Sequence, residues 1–229
     1  YAESIVVPAR LARANLLRLK PETDFKDAAL VEPLGCVAQG LEDARIRAGQ
    51  CVLVLGAGPI GLMMVALAVA AGCEVVVAGR GEARLDAARR LKAARVVEVP
   101  AESDTAQVVR AGTERPFDVV MEAVGQPETW AAAVQLVRKG GVVNFFGGCP
   151  FGTSVSLDTD RMHYCGLKLV SSFHHTPRTI RRALEWIEAG VVRAEEFVDG
   201  ECALQELPGL FQRMVSGNRA VKTLVRVRE

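Results

Sequence analysis

Short apolar runs alternate with amphipathic segments over most of the chain. The runs carry apolar residues at consecutive positions, which is typical of strands that are covered on both faces. The segments between them keep an apolar stripe at helical spacing. We therefore predict strands at 51–55, 74–78, 95–99, 118–122, 141–146 and 168–172. We predict helices near 59–71, 82–92, 103–112, 127–138, 158–164 and 177–189.

This alternation of strands and helices predicts an α/β fold, a doubly wound six-stranded parallel sheet with helices on both sides. Ahead of the sheet, Asp24 is expected to cap a helix over 25–44. Pro33 falls inside that helical pattern. It predicts a bend, with a second helix that begins at the proline.

The two ends of the chain depart from this rhythm. Ser4-Ile-Val-Val-Pro8 is expected to be a strand. After residue 190 we predict a short strand near Phe197, a helix around 204–216 and a final strand at 221–227. Together with the opening strand, this tail could form a second small layer outside the main sheet.

The amino-acid composition and the net charge disfavour some classes of function. The 229 residues carry a net charge of only +1 and half of them are hydrophobic, which disfavours a nucleic-acid partner. No apolar run is long enough for a membrane span and the start does not read as a signal peptide. The six cysteines occur singly, as expected of reduced thiols in a cytoplasmic protein. The chain begins at Tyr1 rather than at methionine, so it could be part of a longer polypeptide.

A glycine-rich turn follows the first predicted strand. Gly56, Gly58 and Gly61 form the pattern G-x-G-x-x-G between a strand and a helix, with Pro59 and Ile60 inside it. In a dinucleotide site the first glycine permits the turn, the second admits the pyrophosphate and the third lets the helix lie on the strand. The N-terminus of the helix then faces the phosphates. A structural glycine turn is the alternative.

The end of the second strand bears on the choice of nucleotide. NAD enzymes usually carry an acid there that binds the ribose hydroxyls. In this chain Gly79 takes that position, Arg80 follows, and Arg84 comes one helical turn later. Arginine is a bidentate donor to phosphate, so the pattern favours NADP over NAD, which stays the alternative. Arg80 could instead merely cap the strand.

Further candidates for cofactor binding lie after the later strands, at the same edge of the sheet. Val124 and Gly125 follow the fourth strand, and Gly147 follows the fifth, although Gly147-Gly148 could be an ordinary turn. Ser172 and Phe173 close the sixth strand.

Several segments together resemble the zinc-containing medium-chain dehydrogenases, on the side of the sorbitol and threonine dehydrogenases. The resemblance spans nearly the whole chain in order, and the combination of segments is specific although no single segment is. The segments are Ala29-Leu-Val-Glu-Pro-Leu34, Val54-Leu-Gly-Ala-Gly-Pro-Ile-Gly61, Phe117-Asp-Val-Val-Met-Glu-Ala-Val-Gly125, Gly140-Gly-Val-Val, His163-Tyr164, Phe173-His-His-Thr-Pro177 and Val221-Lys-Thr223.

The resemblance implies a role for several positions. Glu32 matches a glutamate beside the catalytic zinc, and a carboxylate is a usual zinc ligand, so it is our candidate catalytic and metal residue. Lys222 matches a basic residue that touches the cofactor pyrophosphate. Cys36 is expected to be a packing residue rather than a ligand. His163 and His174 could each line the pocket or be structural histidines.

The resemblance also implies the domain organisation. Residues 1–24 would be a remnant of a GroES-like catalytic domain, 25–190 the Rossmann domain, and 191–229 a return to the catalytic domain. The other zinc ligands of the family and its four-cysteine lobe lie outside this sequence, and the position of a family histidine is Gln39, to which we assign no role. The family usually forms dimers or tetramers through the edge strand, here 168–172 or its neighbour.

These observations favour an oxidoreductase that moves a hydride between NADP(H) or NAD(H) and a secondary alcohol, a polyol or the corresponding ketone, with zinc in the intact protein. One alternative is a zinc-free quinone or enoyl reductase of the same superfamily, which the Glu32-Pro33 pair disfavours. Another is a truncated dinucleotide-binding module that catalyses nothing. The substrate cannot be named from these residues.

Overall fold

A six-stranded parallel sheet forms the centre of the computed structural model, which describes residues 1–217 and 220–227. Its strand order is β3-β2-β1-β4-β5-β6, the doubly wound order predicted from the sequence. The strands are β1 (Cys51–Leu55), β2 (Glu74–Gly79), β3 (Arg95–Glu98), β4 (Phe117–Glu122), β5 (Val137–Phe145) and β6 (Lys168–Ser171). The order reverses between β1 and β4, so a crevice opens there at the carboxyl ends of the strands.

Helices cover both faces of the sheet. They are α1 (Ala9–Asn15), α2 (Phe25–Ala28), α3 (Val31–Asp43), α4 (Pro59–Ala70), α5 (Glu82–Arg90), α6 (Thr105–Ala111), α7 (Pro127–Leu136), α8 (Thr159–Tyr164), α9 (Pro177–Glu188) and α10 (Leu207–Val215). No helix among the described residues combines the length and the apolar character that crossing a membrane requires.

Each face of the sheet has its own hydrophobic core. Val52 and Val54 of β1 point to the core that α3, α4 and α9 share. Leu53 and Leu55 of the same strand point to the core beneath α6 and α7. All five residues of β1 are buried, which explains the run of apolar residues without alternation.

Helix α3 begins at a different residue from the one predicted. Asp24 caps α2 as predicted, since its carboxylate accepts a hydrogen bond from the backbone N–H of Lys26 at 2.8 Å. However, the second helix begins at Val31 and not at Pro33. Pro33 lies in the first turn, where a backbone N–H has no intrahelical partner, so its ring costs no helical hydrogen bond.

The opening strand at 4–8 was predicted wrongly. Residues 4–8 form no regular element, and α1 follows directly. Ile5 and Val6 are 78% and 96% exposed, so the β-branched residues that suggested a strand have no sheet edge against which to pair within the described chain.

The tail differs from its prediction in detail. Phe197 is buried after a turn of 3₁₀-helix, Ala194–Glu196, and the strand lies later, as β7 (Gly200–Ala203). It pairs in parallel with β8 (Thr223–Arg226), so the second small layer forms without the opening segment. Helix α10 begins three residues later than predicted because a 3₁₀ turn precedes it.

Most other elements of the sheet shift by only one or two residues. The exception is β5, which begins at Val137, where helix had been expected. Val137 already has an extended backbone (ψ 144°), so α7 ends at Leu136.

Candidate functional site

The glycine loop lies at the carboxyl end of β1. Gly56 has a left-handed backbone (φ 110°), and its N–H donates to the carbonyl of Ala78 at 2.8 Å. A Cβ on Gly61 would stand 1.9 Å from the carbonyl oxygen of Gly56, so only glycine lets α4 start this close to the strand. A Cβ on Gly58 would meet nothing within 4 Å, so that position faces open space. Pro59 and Ile60 begin α4.

A cavity of about 600 Å³ opens beside this loop. Its walls come from the carboxyl ends of four neighbouring strands, β3, β2, β1 and β4, and from the segments that follow them. The lining residues include Gly56, Ala57, Gly58, Gly79, Arg80, Arg84, Glu102, Ser103, Val124 and Glu128. Pro59, Ile60 and Gly61 are not among the lining residues. A volume of this size suits a small-molecule or cofactor site.

Gly79 packs directly against the glycine loop. A Cβ at this position would lie 2.7 Å from the Cβ of Ala57 and 2.8 Å from its backbone nitrogen. Any side chain, including the acid that NAD enzymes usually carry, would therefore collide with the loop. The glycine is required for packing, which the sequence pattern alone did not reveal.

The two arginines form the basic side of the cavity. Arg80 donates from Nε to the carbonyl of Val99 at 3.0 Å, and Arg84 donates from Nη2 to that of Ala220 at 3.2 Å. The buried Nε of Arg84 has no hydrogen-bond partner among the described residues. Both guanidinium groups belong to residues that line the cavity, and a guanidinium is a strong donor to an anionic ligand.

Acidic residues on the walls were not foreseen. Glu102, which takes a left-handed backbone (φ 62°), and Glu128 both line the cavity. The charge of the cavity is therefore mixed, and a carboxylate is available for ribose hydroxyls as well as a guanidinium for phosphate.

A buried carboxylate supports the loop after β4. Glu122 is fully buried and accepts hydrogen bonds from the N–H groups of Val124 (2.9 Å) and Gly125 (3.0 Å) and from the hydroxyl of Thr129 (2.7 Å). Burial raises the pKa of Glu122, although these hydrogen bonds oppose the shift. Val124 is thereby fixed at the wall of the cavity. An acid at the end of a buried strand, three residues before a glycine, was the available signal.

The predicted residues after β5 are held close to this loop. A Cβ on Gly147 would stand 2.4 Å from the nitrogen of Gly125, so the two turns touch. The indole of Trp130 donates to the carbonyl of Gly147 at 2.9 Å. Gly147 is thus a close-packing position, and it is not among the residues that line the cavity.

The remaining cofactor candidates lie away from the cavity walls. Ser172 is buried, and its hydroxyl donates to Asp43 at 2.6 Å and accepts from Asn144 at 2.8 Å. Phe173 is 87% exposed. Lys222 pairs through its backbone with Asp199. The predicted contacts of these residues with a cofactor stay predictions.

Glu32 lies in a different cluster. It is on the first turn of α3, with 65% of its side chain exposed, and its Oε1 is 3.6 Å from Nε2 of His175 and 3.5 Å from Sγ of Cys36. The ligand atoms of these three residues all lie within 4.8 Å of one another. Partial burial and the neighbouring carboxylate raise the pKa of the Cys36 thiol to about 11. The sequence had suggested only packing for Cys36 and nothing for His175.

The other histidines do not join that cluster. His163 lies on α8 with its ring edge-on to Tyr164 at 4.9 Å. His174 takes a left-handed backbone (φ 66°) and its ring contacts Phe173. Neither lines the cavity.

Comparison with known proteins identifies the family. Residues 59–189, more than half of the chain, match the family model described as zinc-binding dehydrogenase. The chain belongs to the zinc-binding dehydrogenase family. D-arabinitol dehydrogenase 1 of Uromyces fabae is 28% identical over 212 residues, which are 91% of this chain and 60% of that protein. L-threonine 3-dehydrogenase of Colwellia psychrerythraea is 33% identical over 171 residues, 74% of this chain and 48% of that protein.

Solved structures agree with this assignment. A protein from Sinorhizobium meliloti 1021, crystallised with NADP bound, superposes with a TM-score of 0.84 at 28% identity and covers 92% of this chain and 62% of its own. This zinc-binding dehydrogenase chain thus spans about three fifths or less of the length of the relatives named here. The fold expected from the resemblance is confirmed.

Proposed function

We propose that this chain is the cofactor-binding part of an oxidoreductase that transfers a hydride between NADP(H) and a small secondary alcohol, polyol or ketone. The observation that carries the proposal is the cavity beside Gly58, open at the glycine loop and bordered by Arg80 and Arg84. The relatives support the substrate class, because they are named as dehydrogenases of a sugar alcohol and of threonine.

The residues fit a dinucleotide with a 2′-phosphate. The N-terminus of α4 would face the pyrophosphate across Gly58, which offers open space. The 2′-phosphate would accept hydrogen bonds from the guanidinium groups of Arg80 and Arg84, which both line the cavity. NAD(H) stays the alternative, because Glu102 also lines the cavity and could accept from ribose hydroxyls.

Zinc would act as a Lewis acid on the substrate oxygen in the intact protein. Glu32 is the residue of this chain that would stand beside it, and 65% of its side chain is exposed. The chain's own part is to hold the nicotinamide end of the cofactor at the β4 loop, where Glu122 fixes Val124 and Gly125. The cavity walls would exclude water from that end.

The proposal includes the domain organisation and the oligomeric state of the protein. Residues 1–24 and 191–229 would belong to the catalytic part of the protein, and 25–190 would form the Rossmann domain. Strand β6 lies at the edge of the sheet, where a second copy could pair to give a dimer or part of a tetramer. We expect the protein to act in the cytoplasm.

The test of cofactor choice is a titration of the chain with NADPH and with NADH, followed by fluorescence. We expect tighter binding of NADPH. Arg80→Ala should weaken NADPH binding roughly tenfold or more, since hydrogen bonds to charged groups contribute about 1.5–3 kcal/mol, and should leave NADH binding nearly unchanged. Arg90→Ala, an exposed arginine on α5 that does not line the cavity, is the matched control. Tighter binding of NADH, or no effect of Arg80→Ala, would refute the 2′-phosphate site.

A further inference from the structure

The first turn of α3 and the loop before α9 bring three different metal-binding groups together. Glu32 and Cys36 are four residues apart and therefore share one face of α3. His175 immediately precedes Thr176, the cap of α9. A carboxylate, a thiol and an imidazole thus converge from two elements that are far apart in sequence.

Close packing of the two helices holds this arrangement. A Cβ on Gly35 would stand 2.7 Å from Cδ1 of Ile180, so the glycine allows α9 to lie against α3. Arg178 of α9 donates to Glu42 of α3 at 2.8 Å and forms an ion pair with it. The position of His175 relative to Glu32 is therefore fixed by tertiary contacts on both sides.

The distances match a tetrahedral metal site. Bonds of about 2.0–2.1 Å to nitrogen or oxygen and about 2.3 Å to sulfur place tetrahedral ligands roughly 3.3–3.5 Å apart. The two separations from Glu32 are 3.5 Å to Cys36 and 3.6 Å to His175. The third edge is at most 4.8 Å, which a small side-chain rotation would shorten.

We propose that Glu32, Cys36 and His175 form a divalent-metal site contained within this chain, suited to Zn²⁺ or Co²⁺. The thiolate and the carboxylate together balance the formal charge of such an ion, and the imidazole is a neutral ligand. A cation between the thiolate and the carboxylate also removes the repulsion between them. The exposure of Glu32 (65%) and His175 (33%) leaves a fourth position open to water or another ligand.

This proposal differs from the zinc site that the resemblance implies. The resemblance assigns only Glu32 to zinc and places the other ligands outside this sequence. Cys36 and His175 are assigned here from their geometry alone. The site requires neither a bound dinucleotide nor hydride transfer, so it does not rest on the proposed function.

The test is a titration of the metal-free 229-residue chain with Co²⁺, followed by absorbance. A thiolate ligand gives a sulfur-to-cobalt charge-transfer band in the near ultraviolet. We expect that band in the unmodified chain, and we expect Zn²⁺ to abolish it because Zn²⁺ binds such sites more tightly than Co²⁺. Cys36→Ser should remove the band.

The other two ligands are tested by affinity. His175→Gln and Glu32→Gln should each weaken Co²⁺ binding at least roughly tenfold, since even the loss of a group that only orients a ligand costs 10–100-fold. His174→Asn is the matched imidazole control, because asparagine tolerates the left-handed backbone at that position. Cys165→Ser is the matched thiol control, from the end of α8 and outside the cluster. Both controls should bind Co²⁺ like the unmodified chain.

Circular dichroism establishes that each variant is folded, and NADPH binding is measured separately. No charge-transfer band in a folded chain, or a band that survives Cys36→Ser, would overturn the proposal. Equal losses of Co²⁺ affinity in the control variants would also overturn the proposal. A chain that binds NADPH without the band would refute the metal site and leave the proposed function standing, whereas a band without NADPH binding would do the reverse.

Discussion

At the residue scale, the three glycines of the loop have different tasks. Gly61 is required by packing, because any Cβ there would strike the carbonyl of Gly56. Gly58 has an ordinary backbone (φ −75°) and faces open space. The packing of the protein therefore does not require a glycine at position 58. A glycine there points instead to the close approach of a ligand.

This difference predicts opposite behaviour for two identical substitutions. Gly61→Ala should destabilise the fold by about 1–3 kcal/mol, because the overlap with backbone must be relieved by moving α4 or β1. Gly58→Ala should leave the free energy of unfolding nearly unchanged but weaken dinucleotide binding, because the new methyl group occupies the ligand's space. Urea unfolding and NADPH titration of both variants check this. Equal loss of stability in the two would contradict the assignment.

At the element scale, a buried polar network joins α3 to the ends of β5 and β6. Asn144 donates to the hydroxyl of Ser172 and to the carbonyl of Gly40, at 2.8 Å and 3.1 Å. Ser172 in turn donates to Asp43, which also accepts from Gln39 at 2.8 Å. The hydroxyl that we had expected at the cofactor thus serves to hold a helix on the sheet.

Removing that hydroxyl should reduce stability. Ser172→Ala leaves the buried Asn144 and the half-buried Asp43 each without one partner, which should cost about 1–3 kcal/mol. Ser171→Ala, at the neighbouring exposed position, should change stability by less than about 0.5 kcal/mol. Chemical unfolding of both variants measures the difference. If Ser172→Ala alters NADPH affinity and not stability, the hydroxyl belongs to the cofactor site after all.

The elements themselves were largely readable from the sequence. The strands of the main sheet contain runs of consecutive apolar residues, and β1 is buried over its whole length, so pattern and structure coincide there. The hydrophobic pattern did not predict the structure correctly where burial and contacts depend on residues that are distant in sequence. Ile5 and Val6 have strand-like character without a neighbouring strand. The approach of His175 to Glu32 arises from the packing of α9 on α3, which no local pattern encodes.

At the scale of the whole molecule, the walls of the cavity come from segments spread along the chain. The end of β2 contributes Gly79, and the loops after β1 and β4 contribute Gly58 and Val124. Glu122 sits where these segments meet, beside the point at which the strand order reverses. It is fully buried, so its ionisation affects the stability of the entire sheet.

The raised pKa of Glu122 predicts a pH dependence of unfolding. Because the folded state holds this proton more tightly than the unfolded chain, the contribution is fully present below the ordinary glutamate pKa of 4.5 and is lost as the pH rises through the folded-state pKa. Glu122→Gln cannot titrate. The stability of the unmodified chain relative to this variant should therefore fall as the pH rises above 4.5 and then level off.

Urea unfolding of both proteins across that range is the measurement. Glu128→Gln, an exposed position on α7, is the control and should show no such difference from the unmodified chain. A relative stability that rises with pH would mean that the three hydrogen bonds to Glu122 outweigh its burial.

The contact between Gly79 and Ala57 bears on how cofactor choice can evolve. An acid at position 79 would collide both with the methyl group of Ala57 and with its backbone nitrogen, so replacing Ala57 by glycine would relieve only half of the conflict. An acid that binds ribose hydroxyls from this position needs a shifted loop before it is acceptable. The order of mutations is therefore constrained: substitutions that move the loop must come first, and the acid is deleterious on the present background.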